Sequence, residues 1–522
     1  MTKFTCFLLV SACYLLITID NKLLAQSWDN WKLEKENIDA AIRYFSPLNQ
    51  QDSLRPAFHL TPPAGCMGDP NGGIYHDGFY HIFYGQQPFA HHPGGWYWAH
   101  ARSKDLLQWE HMPNSLTPAF EYGLNAIGSG STIVTEDDQK LAFYSQSKGG
   151  PMQFWRAEFK NDDLSAWEHQ GKNPILTLEH PGLPPFDDFW RDPFVFTTQG
   201  RTFMIACADL FEEDYVPVPI FEATNPELTE WDYKGILFTY PKHKNRNFEV
   251  PEIRPLGDKW IFMASTDAPE DRCYYFLGDL DPDNLTFKPT AEGILDYSGH
   301  YYAQESILDD KGDLYLMAWM PGWDRPWLPT YMNEPLKNSS TLWNGSFALP
   351  RKLSLDDRGQ LIQQPVETLL ELRSTSYQLV GRELPVSGPT TAIEVLPNII
   401  GNQLEIEVQL NLHNASFCGL NVLSDSTGMG GMFINWSGNL LNVDGVKVPM
   451  DDWQPGENIR MQIFIDQNLV EVFVNGGRYC ISRQVRREHI AGNRVALTSL
   501  GGTAKLVGLK AWDLKKIMND EY

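Results

Sequence analysis

The feature of the sequence that most limits its possible folds is a β-rich unit that recurs five times. Each unit has an extended segment, a turn and a second segment rich in aromatic and aliphatic residues; the turns lie near Gly78, Asp138, Gly200, Gly257 and Gly312, about 55 to 62 residues apart. A sheet unit repeated at this length is typical of the blades of a β-propeller. The repeats therefore predict a five-bladed β-propeller over residues 55–355. The alternative is a β-sandwich whose segments are alike by accident.

The composition changes after the fifth unit, where we expect a second domain. Residues 356–385 are expected to form a linker with a short helix, since Pro365 suits the first turn of a helix. Apolar and polar residues then alternate, as in Leu404–Leu410 and Met461–Ile465, which is typical of half-buried strands. Residues 386–522 are therefore predicted to form an antiparallel β-sandwich, which makes the whole chain all-β.

The N-terminus has the pattern of a secretion signal. An apolar run extends from Phe4 to Ile19, which is short for a membrane span, and we expect residues 1–25 to be a signal peptide and residues 26–54 a lead-in to the first blade. A lipoprotein signal is the alternative, because the residues that end at Cys13 resemble a lipobox. The chain is therefore expected to be secreted, periplasmic or attached to the cell surface, without a membrane span.

Charge and composition limit the class of partner. The formal net charge of −24 argues against nucleic acid and anionic lipid, which bind basic surfaces. The 17 Trp residues suit a neutral carbohydrate, because flat rings stack on the C–H faces of sugars. The cysteines are scattered and include no C-x-x-C pair, so the sequence predicts neither a zinc site nor a disulfide framework.

Acidic residues occupy equivalent places at the start of several repeats. Asp69 lies in the first unit, Asp192 in the third, and Glu249 and Glu252 in the fourth. The innermost strands of propeller blades point one end into a common funnel, so these carboxylates should converge there, although each one alone also fits a surface turn. Hydrolysis of a glycosidic bond needs one carboxylate and one protonated carboxyl group. Arg191 can hold a third carboxylate ionised and donate hydrogen bonds to sugar hydroxyls.

At these positions the chain resembles glycoside hydrolase family 32 in an ordered series of motifs over residues 55–515. The matching segments are Phe58-His-Leu-Thr-Pro-Pro63, Cys66-Met-Gly-Asp-Pro-Asn-Gly72, Trp98-Ala-His-Ala-Arg-Ser-Lys-Asp-Leu-Leu-Gln-Trp109, Ser129-Gly130-Ser131, Arg191-Asp192-Pro193, Phe248-Glu-Val-Pro-Glu-Ile-Arg-Pro255, Leu349-Pro-Arg-Lys-Leu353 and Asp466-Gln-Asn-Leu-Val-Glu-Val-Phe-Val-Asn-Gly476.

The resemblance implies a five-bladed propeller followed by a β-sandwich, no metal or cofactor, and hydrolysis of β-linked fructofuranosides in a fructose-containing oligo- or polysaccharide. It makes Asp69 the nucleophile and Glu249 the acid/base, and it implies that Asp192 and Arg191 bind fructose hydroxyls. The other candidates for substrate binding are Trp98, Ser129, Gln86, Asn71 and Glu252.

The sequence departs from the family pattern beside the nucleophile. Cys66 replaces the usual Trp, Gly68 the usual Asn and Gly85 the usual Gln. One interpretation is that a neighbouring side chain such as Gln86 or Gln87 refills the space. The other is that the pocket is wider, so that sucrose is a poor substrate relative to a fructan, because a site that loses hydrogen-bonding groups discriminates less between hydroxyls.

Three functional classes fit these residues. A hydrolase of fructans or sucrose-like sugars is favoured, because every catalytic carboxylate of the pattern is kept. A fructosyltransferase would use the same covalent intermediate but would pass it to a sugar instead of water. A non-catalytic fructan-binding protein is the third class, and a related arabinan-acting furanosidase with a similar propeller is a further alternative.

Overall fold

The computed structural model describes residues 35–87, 96–119, 124, 126–147, 149–169, 171–210, 212–242, 247–266, 272–321, 343–384 and 392–517. The predicted signal peptide 1–25, with Cys13, lies outside these residues. In the described part of the lead-in an α-helix, α1 (Lys35–Asn49), buries Ile38 and Ile42, which lie four residues apart on one face. Within the described part of the chain, no helix combines the length and the apolar character that a membrane crossing needs.

The described residues between Gly65 and Pro365 form five separate sheets, which are antiparallel apart from one short parallel pair in the first. The first sheet contains β1–β4 and β19, the second β5–β8, the third β9–β12, the fourth β13–β16 and the fifth β17, β18 and β20–β22. Their bounds are β1 (Gly65–His76), β2 (Phe79–Gln87), β3 (Tyr97–Ser103), β4 (Trp109–Leu116), β5 (Ile127–Val134), β6 (Lys140–Gln146), β7 (Gln153–Phe159), β8 (Trp167–Glu168), β9 (Arg191–Thr198), β10 (Arg201–Cys207), β11 (Tyr215–Ala223), β12 (Trp231–Pro241), β13 (Phe248–Leu256), β14 (Lys259–Thr266), β15 (Arg272–Asp281), β16 (Thr286–Ile294), β17 (Tyr302–Leu308), β18 (Leu314–Met320), β19 (Trp343–Asn344), β20 (Ser346–Phe347), β21 (Arg351–Leu355) and β22 (Leu361–Pro365).

The turn in each repeat joins the first two strands of a sheet, as the sequence predicts. All five turn residues have the positive φ that a tight reversal requires, and glycine supplies it without steric cost at four of the five. The values are 78° at Gly78, 65° at Asp138, 70° at Gly200, 64° at Gly257 and 81° at Gly312. The prediction of an all-β chain is confirmed.

The first strands of the five sheets form a closed ring. Strand β1 packs against β5 and β17, β9 packs against β5 and β13, and β13 packs against β17. These strands are mostly buried: β17 is buried at six of its seven positions, and β5, the least buried, at four of its eight. Residues at equivalent places on the five strands therefore face one axis, which is the condition for the predicted convergence of carboxylates.

The C-terminal part of the chain forms two packed six-stranded sheets, β23-β34-β25-β30-β31-β32 and β24-β33-β26-β27-β28-β29. An apolar core that includes Trp436 and Ile463 fills the space between them. The strands are β23 (Arg373–Glu383), β24 (Ala392–Ile400), β25 (Gln403–Asn411), β26 (Phe417–Ser424), β27 (Met432–Trp436), β28 (Leu440–Val443), β29 (Val446–Pro449), β30 (Asn458–Asp466), β31 (Leu469–Val474), β32 (Tyr479–Gln484), β33 (Arg494–Leu500) and β34 (Lys505–Leu514). A one-turn 3-10 helix, Arg487–His489, precedes β33.

The segment expected to be a linker differs from the prediction. Strand β22 belongs to the fifth sheet, and β23 already belongs to the sandwich, so most of the described part of 356–385 is strand. The expected helix is a 3-10 helix, Glu367–Leu372, and Pro365 ends β22 instead of starting that helix. The reason is pairing: Pro365 lies opposite Arg351 in a ladder that a sequence window does not reveal.

A fully buried set of charged side chains joins the segment that directly precedes β1, the fifth sheet and the sandwich. The ring of His59 lies between Asp466 and Glu471, with Nδ1 2.7 Å from Oδ2 of Asp466 and Nε2 3.1 Å from Oε1 of Glu471. Arg351 donates from Nη2 to Glu471 at 2.9 Å and to Asp296 at 2.8 Å. We call these five residues the interdomain cluster.

Candidate active site

Each of the five innermost strands carries a β-bulge near its N-terminal end. At each bulge two residues of the inner strand face one residue of its neighbour, which turns side chains toward the axis. The bulges lie between Met67 and Pro70 in β1, between Ile127 and Gly130 in β5, between Arg191 and Phe194 in β9, between Glu249 and Glu252 in β13, and between Tyr302 and Glu305 in β17. The predicted catalytic residues lie at these bulges.

The backbone at three of the bulges has the left-handed conformation. The φ angles are 57° at Asp192, 45° at Val250 and 49° at Ala303. A non-glycine residue, and a β-branched one above all, adopts this conformation at a cost, which is common at active sites. The carboxylate of Asp192 supports the next bulge, because its Oδ2 accepts the N–H of Val250 at 3.0 Å.

Asp69 is oriented by its neighbours on β1 and β5. The hydroxyl of Ser129 donates to Oδ2 of Asp69 at 2.9 Å, and the amide of Asn71 donates to the backbone carbonyl of Asp69 at 2.8 Å. Burial and the charge of Asp192 raise the pKa of Asp69, while the Ser129 hydrogen bond and the Arg191 charge lower it, and the result is a pKa of about 6. Asp69 is therefore mostly ionised at neutral pH, as a nucleophile must be.

Arg191 lies between the other two carboxyl groups that the sequence predicts to be catalytic, Asp192 and Glu249. Its guanidinium pairs with Oε1 of Glu249, and its Nε lies 3.6 Å from Oδ2 of Asp192. Burial alone would lower the pKa of Arg191, but the carboxylates of Asp192 and Asp69 raise it, so Arg191 stays charged. The phenol of Tyr302 donates a hydrogen bond to Oε2 of Glu249. Both oxygens of the Glu249 carboxyl group are thus held in place.

Two of the residues that the sequence predicts to bind substrate, Trp98 and Asn71, hydrogen-bond to the backbone of the strands that form the site. Trp98 is fully buried and donates from Nε1 to the carbonyl of Gly128 at 3.0 Å. Asn71 accepts the N–H of Gly130 at 3.1 Å, so its side chain braces the Asp69 bulge against β5. These two residues position the strands that carry Asp69 and Ser129.

Gln86 and Glu252 are also committed to the protein. The amide of Gln86 donates to the carbonyl of Ala64 at 2.5 Å and accepts the hydroxyl of Tyr97 at 2.7 Å, so Gln86 does not refill the space beside Gly68 and Gly85. Glu252 is buried and accepts the N–H of Ser306 at 3.1 Å. Burial raises the pKa of Glu252 to about 7. It lies three residues deeper along β13 than Glu249, on the other side of the bulge.

Two residues at the site were missed by reasoning from the sequence. Tyr302 lies at the bulge of the fifth unit, and that position could have been found by looking for a polar side chain at the same place in every repeat. Cys207 donates to Oδ2 of Asp192 across 3.6 Å. Cys207 ends β10, and no local pattern distinguishes it from an ordinary buried cysteine.

The described site combines an ionised carboxylate, a second carboxyl group held by a phenol and a guanidinium, and a third carboxylate, at one end of a closed ring. The comparison with protein families agrees with this chemistry. The model described as Glycosyl hydrolases family 32 N-terminal domain matches residues 59–365, and the model described as Glycosyl hydrolases family 32 C terminal matches residues 369–513. The chain belongs to glycoside hydrolase family 32. It is therefore a hydrolase of the retaining fructofuranosidase type.

Relatives and solved structures agree with the family. The chain is 26% identical to the levanase of Bacillus subtilis (strain 168) over 89% of this chain and 71% of that protein. It is 26% identical to a sucrose-6-phosphate hydrolase of Escherichia coli over 88% of this chain and 94% of that protein. The fold is similar to that of fructan 1-exohydrolase IIa from Cichorium intybus, solved with 1-kestose, with a TM-score of 0.74, 21% identity, and coverage of 89% of this chain and 98% of that one.

Proposed function

We propose that this family 32 member is a secreted enzyme that hydrolyses β-linked fructofuranosides of levan- or inulin-type oligosaccharides, with sucrose as a poorer substrate, on a five-bladed propeller. The observation that carries the proposal is that Asp69 and Glu249 both lie at bulges of one ring of strands. The hydroxyl of Ser129 donates a hydrogen bond to Asp69, and the phenol of Tyr302 donates one to Glu249. The similarity to a protein named levanase supports a fructan as the substrate class.

The reaction we propose has two displacement steps. The carboxylate of Asp69 attacks C2 of the fructosyl unit while Glu249 protonates the leaving oxygen, which gives a covalent fructosyl–enzyme and frees the remaining sugar. Glu249, now a carboxylate, takes a proton from water as that water attacks C2, and Asp69 leaves. Asp192 and Arg191 bind fructose hydroxyls through both steps. Both displacements invert C2, so the configuration is retained overall.

The test of the substrate class is a digest of sucrose, inulin, levan, short fructooligosaccharides and sucrose 6-phosphate, followed by thin-layer chromatography. We expect release of fructose with kcat/KM higher on at least one fructan than on sucrose. Proton NMR at early times should show the retained anomer first. Release of the opposite anomer, or sucrose hydrolysed as well as every fructan, would contradict the mechanism or the substrate class respectively.

Transfer of the fructosyl unit to a sugar, instead of to water, is the second reaction that this site chemistry allows. The covalent intermediate is the same, and only the acceptor that reaches it differs. Products longer than the substrate at high sucrose concentration would assign the chain to fructosyl transfer, whereas free fructose as the main product at every concentration supports hydrolysis.

The proposal of secretion rests on the pattern in residues 1–25. Expression of the full chain in a secreting bacterial host, followed by N-terminal sequencing of exported protein, tests it. A mature terminus near residue 26 supports secretion. A lipid-modified terminus at Cys13 supports the surface-anchored alternative, and an uncleaved chain inside the cell contradicts both.

A further inference from the structure

Two glycines flank the nucleophile where the family pattern has amide side chains. Gly68 precedes Asp69 in the β1 bulge, and Gly85 lies on the neighbouring strand β2, where an added Cβ would be 3.8 Å from the backbone nitrogen of Asp69. Neither glycine has a positive φ, unlike Gly72 a few residues later in the same strand. The backbone therefore does not require glycine at either place, and something else must exclude a side chain there.

The indole of Trp96 occupies the space that these side chains would fill. A Cβ on Gly68 would lie 3.1 Å from Cζ3 and 3.3 Å from Cη2 of the indole, and a Cβ on Gly85 would lie 3.3 Å from Cε3. These separations are shorter than an ordinary carbon–carbon contact of about 3.5–4.0 Å. Trp96 itself is half-buried, directly before β3, and its carbonyl accepts the N–H of Ile127 at 2.9 Å.

We infer that Trp96 is a specificity-determining residue of the fructosyl pocket, whose indole replaces two hydrogen-bonding amides with an apolar wall beside Asp69. This inference rests on the proposed function. It also bears on the departures in this sequence: the space beside Gly68 and Gly85 is refilled by the ring of Trp96, which lies directly before β3, and not by Gln86.

The chemistry of this wall differs from that of an amide wall. An indole face packs against the C–H side of a sugar ring and is indifferent to any one hydroxyl. Contacts that are equally strong in the ground state and the transition state change KM and leave kcat nearly unchanged. Trp96 should therefore act on KM, whereas the carboxylates act on kcat.

The first test compares Trp96→Ala and Trp96→Phe with the wild type on one fructooligosaccharide. We expect Trp96→Ala to raise KM about 10-fold, equivalent to about 1.4 kcal/mol, with kcat within about 3-fold, and Trp96→Phe to keep most of the affinity. Trp167→Ala is the matched control, because Trp167 is also half-buried but lies on β8, the outermost strand of the second sheet. An unchanged KM in a folded Trp96→Ala protein overturns the inference.

The second test measures the effect of one added methyl group with and without the Trp96 indole. Gly85→Ala adds one methyl group against the indole and should raise KM about 3-fold or more in the wild type. If the methyl group acts by displacing the indole, the same substitution should leave KM unchanged in the Trp96→Phe and Trp96→Ala backgrounds. Equal effects of Gly85→Ala with and without the indole overturn the inference. A wild-type protein that releases no fructose from any substrate refutes the proposed function instead, so the two failures are distinguishable.

Discussion

Replacement of His59 by Gln should destabilise the protein in a pH-dependent way. The imidazole ring has no accessible side-chain surface, and both of its nitrogens face carboxylates, at 2.7 Å from Asp466 and 3.1 Å from Glu471. A nitrogen that faces a carboxylate must carry a proton to donate, so the ring is an imidazolium. Asp466 also accepts the backbone N–H groups of residues 57–59, at 2.6, 2.9 and 3.1 Å. The segment directly before β1 is thereby tied to the sandwich.

The magnitude follows from the pKa of this ring. Burial acts to lower the pKa of His59, but the hydrogen bonds and negative charges of Asp466 and Glu471 outweigh it and raise the pKa from 6.5 to about 9. That rise corresponds to about 3 kcal/mol of stability, at about 1.4 kcal/mol per pH unit. Since the folded pKa is the higher one, this stability is fully present below pH 6.5 and is lost as the pH rises through about 9. Gln has no such proton, and breaking a buried ion pair costs about 3–5 kcal/mol.

The assay is urea unfolding of the full chain between pH 6 and about 9.5, followed by tryptophan fluorescence. Midpoints are compared directly, because a chain with more than one folded unit need not unfold in one step. The wild-type midpoint should fall as the pH rises, and the His59→Gln midpoint should be lower at pH 6 and should fall much less. His489→Gln, at an exposed site, should behave as the wild type does. Parallel pH profiles for the wild type and His59→Gln would refute the reasoning.

Three further predictions concern the active site. Asp69→Asn and Glu249→Gln should each lower kcat by about 10² to 10⁴ without loss of fold, because they remove the nucleophile and the proton donor; turnover near that of the wild type in either would contradict its role. Ser129→Ala should move the acidic limb of the kcat/KM profile, expected near pH 6 from the pKa of Asp69, upward by about one pH unit, because the lost hydrogen bond favours the ionised form; an unshifted limb would count against Asp69 as the titrating group. Tyr302→Phe should lower kcat more than it changes KM, since the phenol holds Glu249; a change confined to KM would place Tyr302 in ground-state binding instead.

The sequence by itself determined the strand pattern and the placement of the candidate catalytic carboxylates in the repeats. Both depend on local order: alternating or continuous apolar segments form strands, and turn residues with positive φ set where they reverse. The five turns and the strands around Met461–Ile465 follow directly from these rules. Equivalent places in repeated units then put Asp69, Asp192 and Glu249 at one end of the strand ring.

Only the tertiary structure decided which polar side chains reach the site. Glu249 and Glu252 are three residues apart in one strand, and the bulge between them turns the first toward Arg191 and buries the second against Ser306. Gln86 is turned into the protein by partners on other segments, and the space that was expected for it holds the ring of Trp96.

The interdomain cluster also separates what the sequence predicts from what only the tertiary structure decides, here for residues far apart in the chain. His59 and Asp466 each belong to a motif that the sequence displays, but they are separated by 407 residues along the chain, and neither motif indicates that they meet. Their contact requires the sandwich to dock against the fifth sheet and the segment directly before β1. Side-chain partners of this kind depend on how separate elements pack against one another, whereas strands and turns depend on the order of residues within one segment. For that reason the sequence determined the architecture, and the tertiary structure determined the contacts.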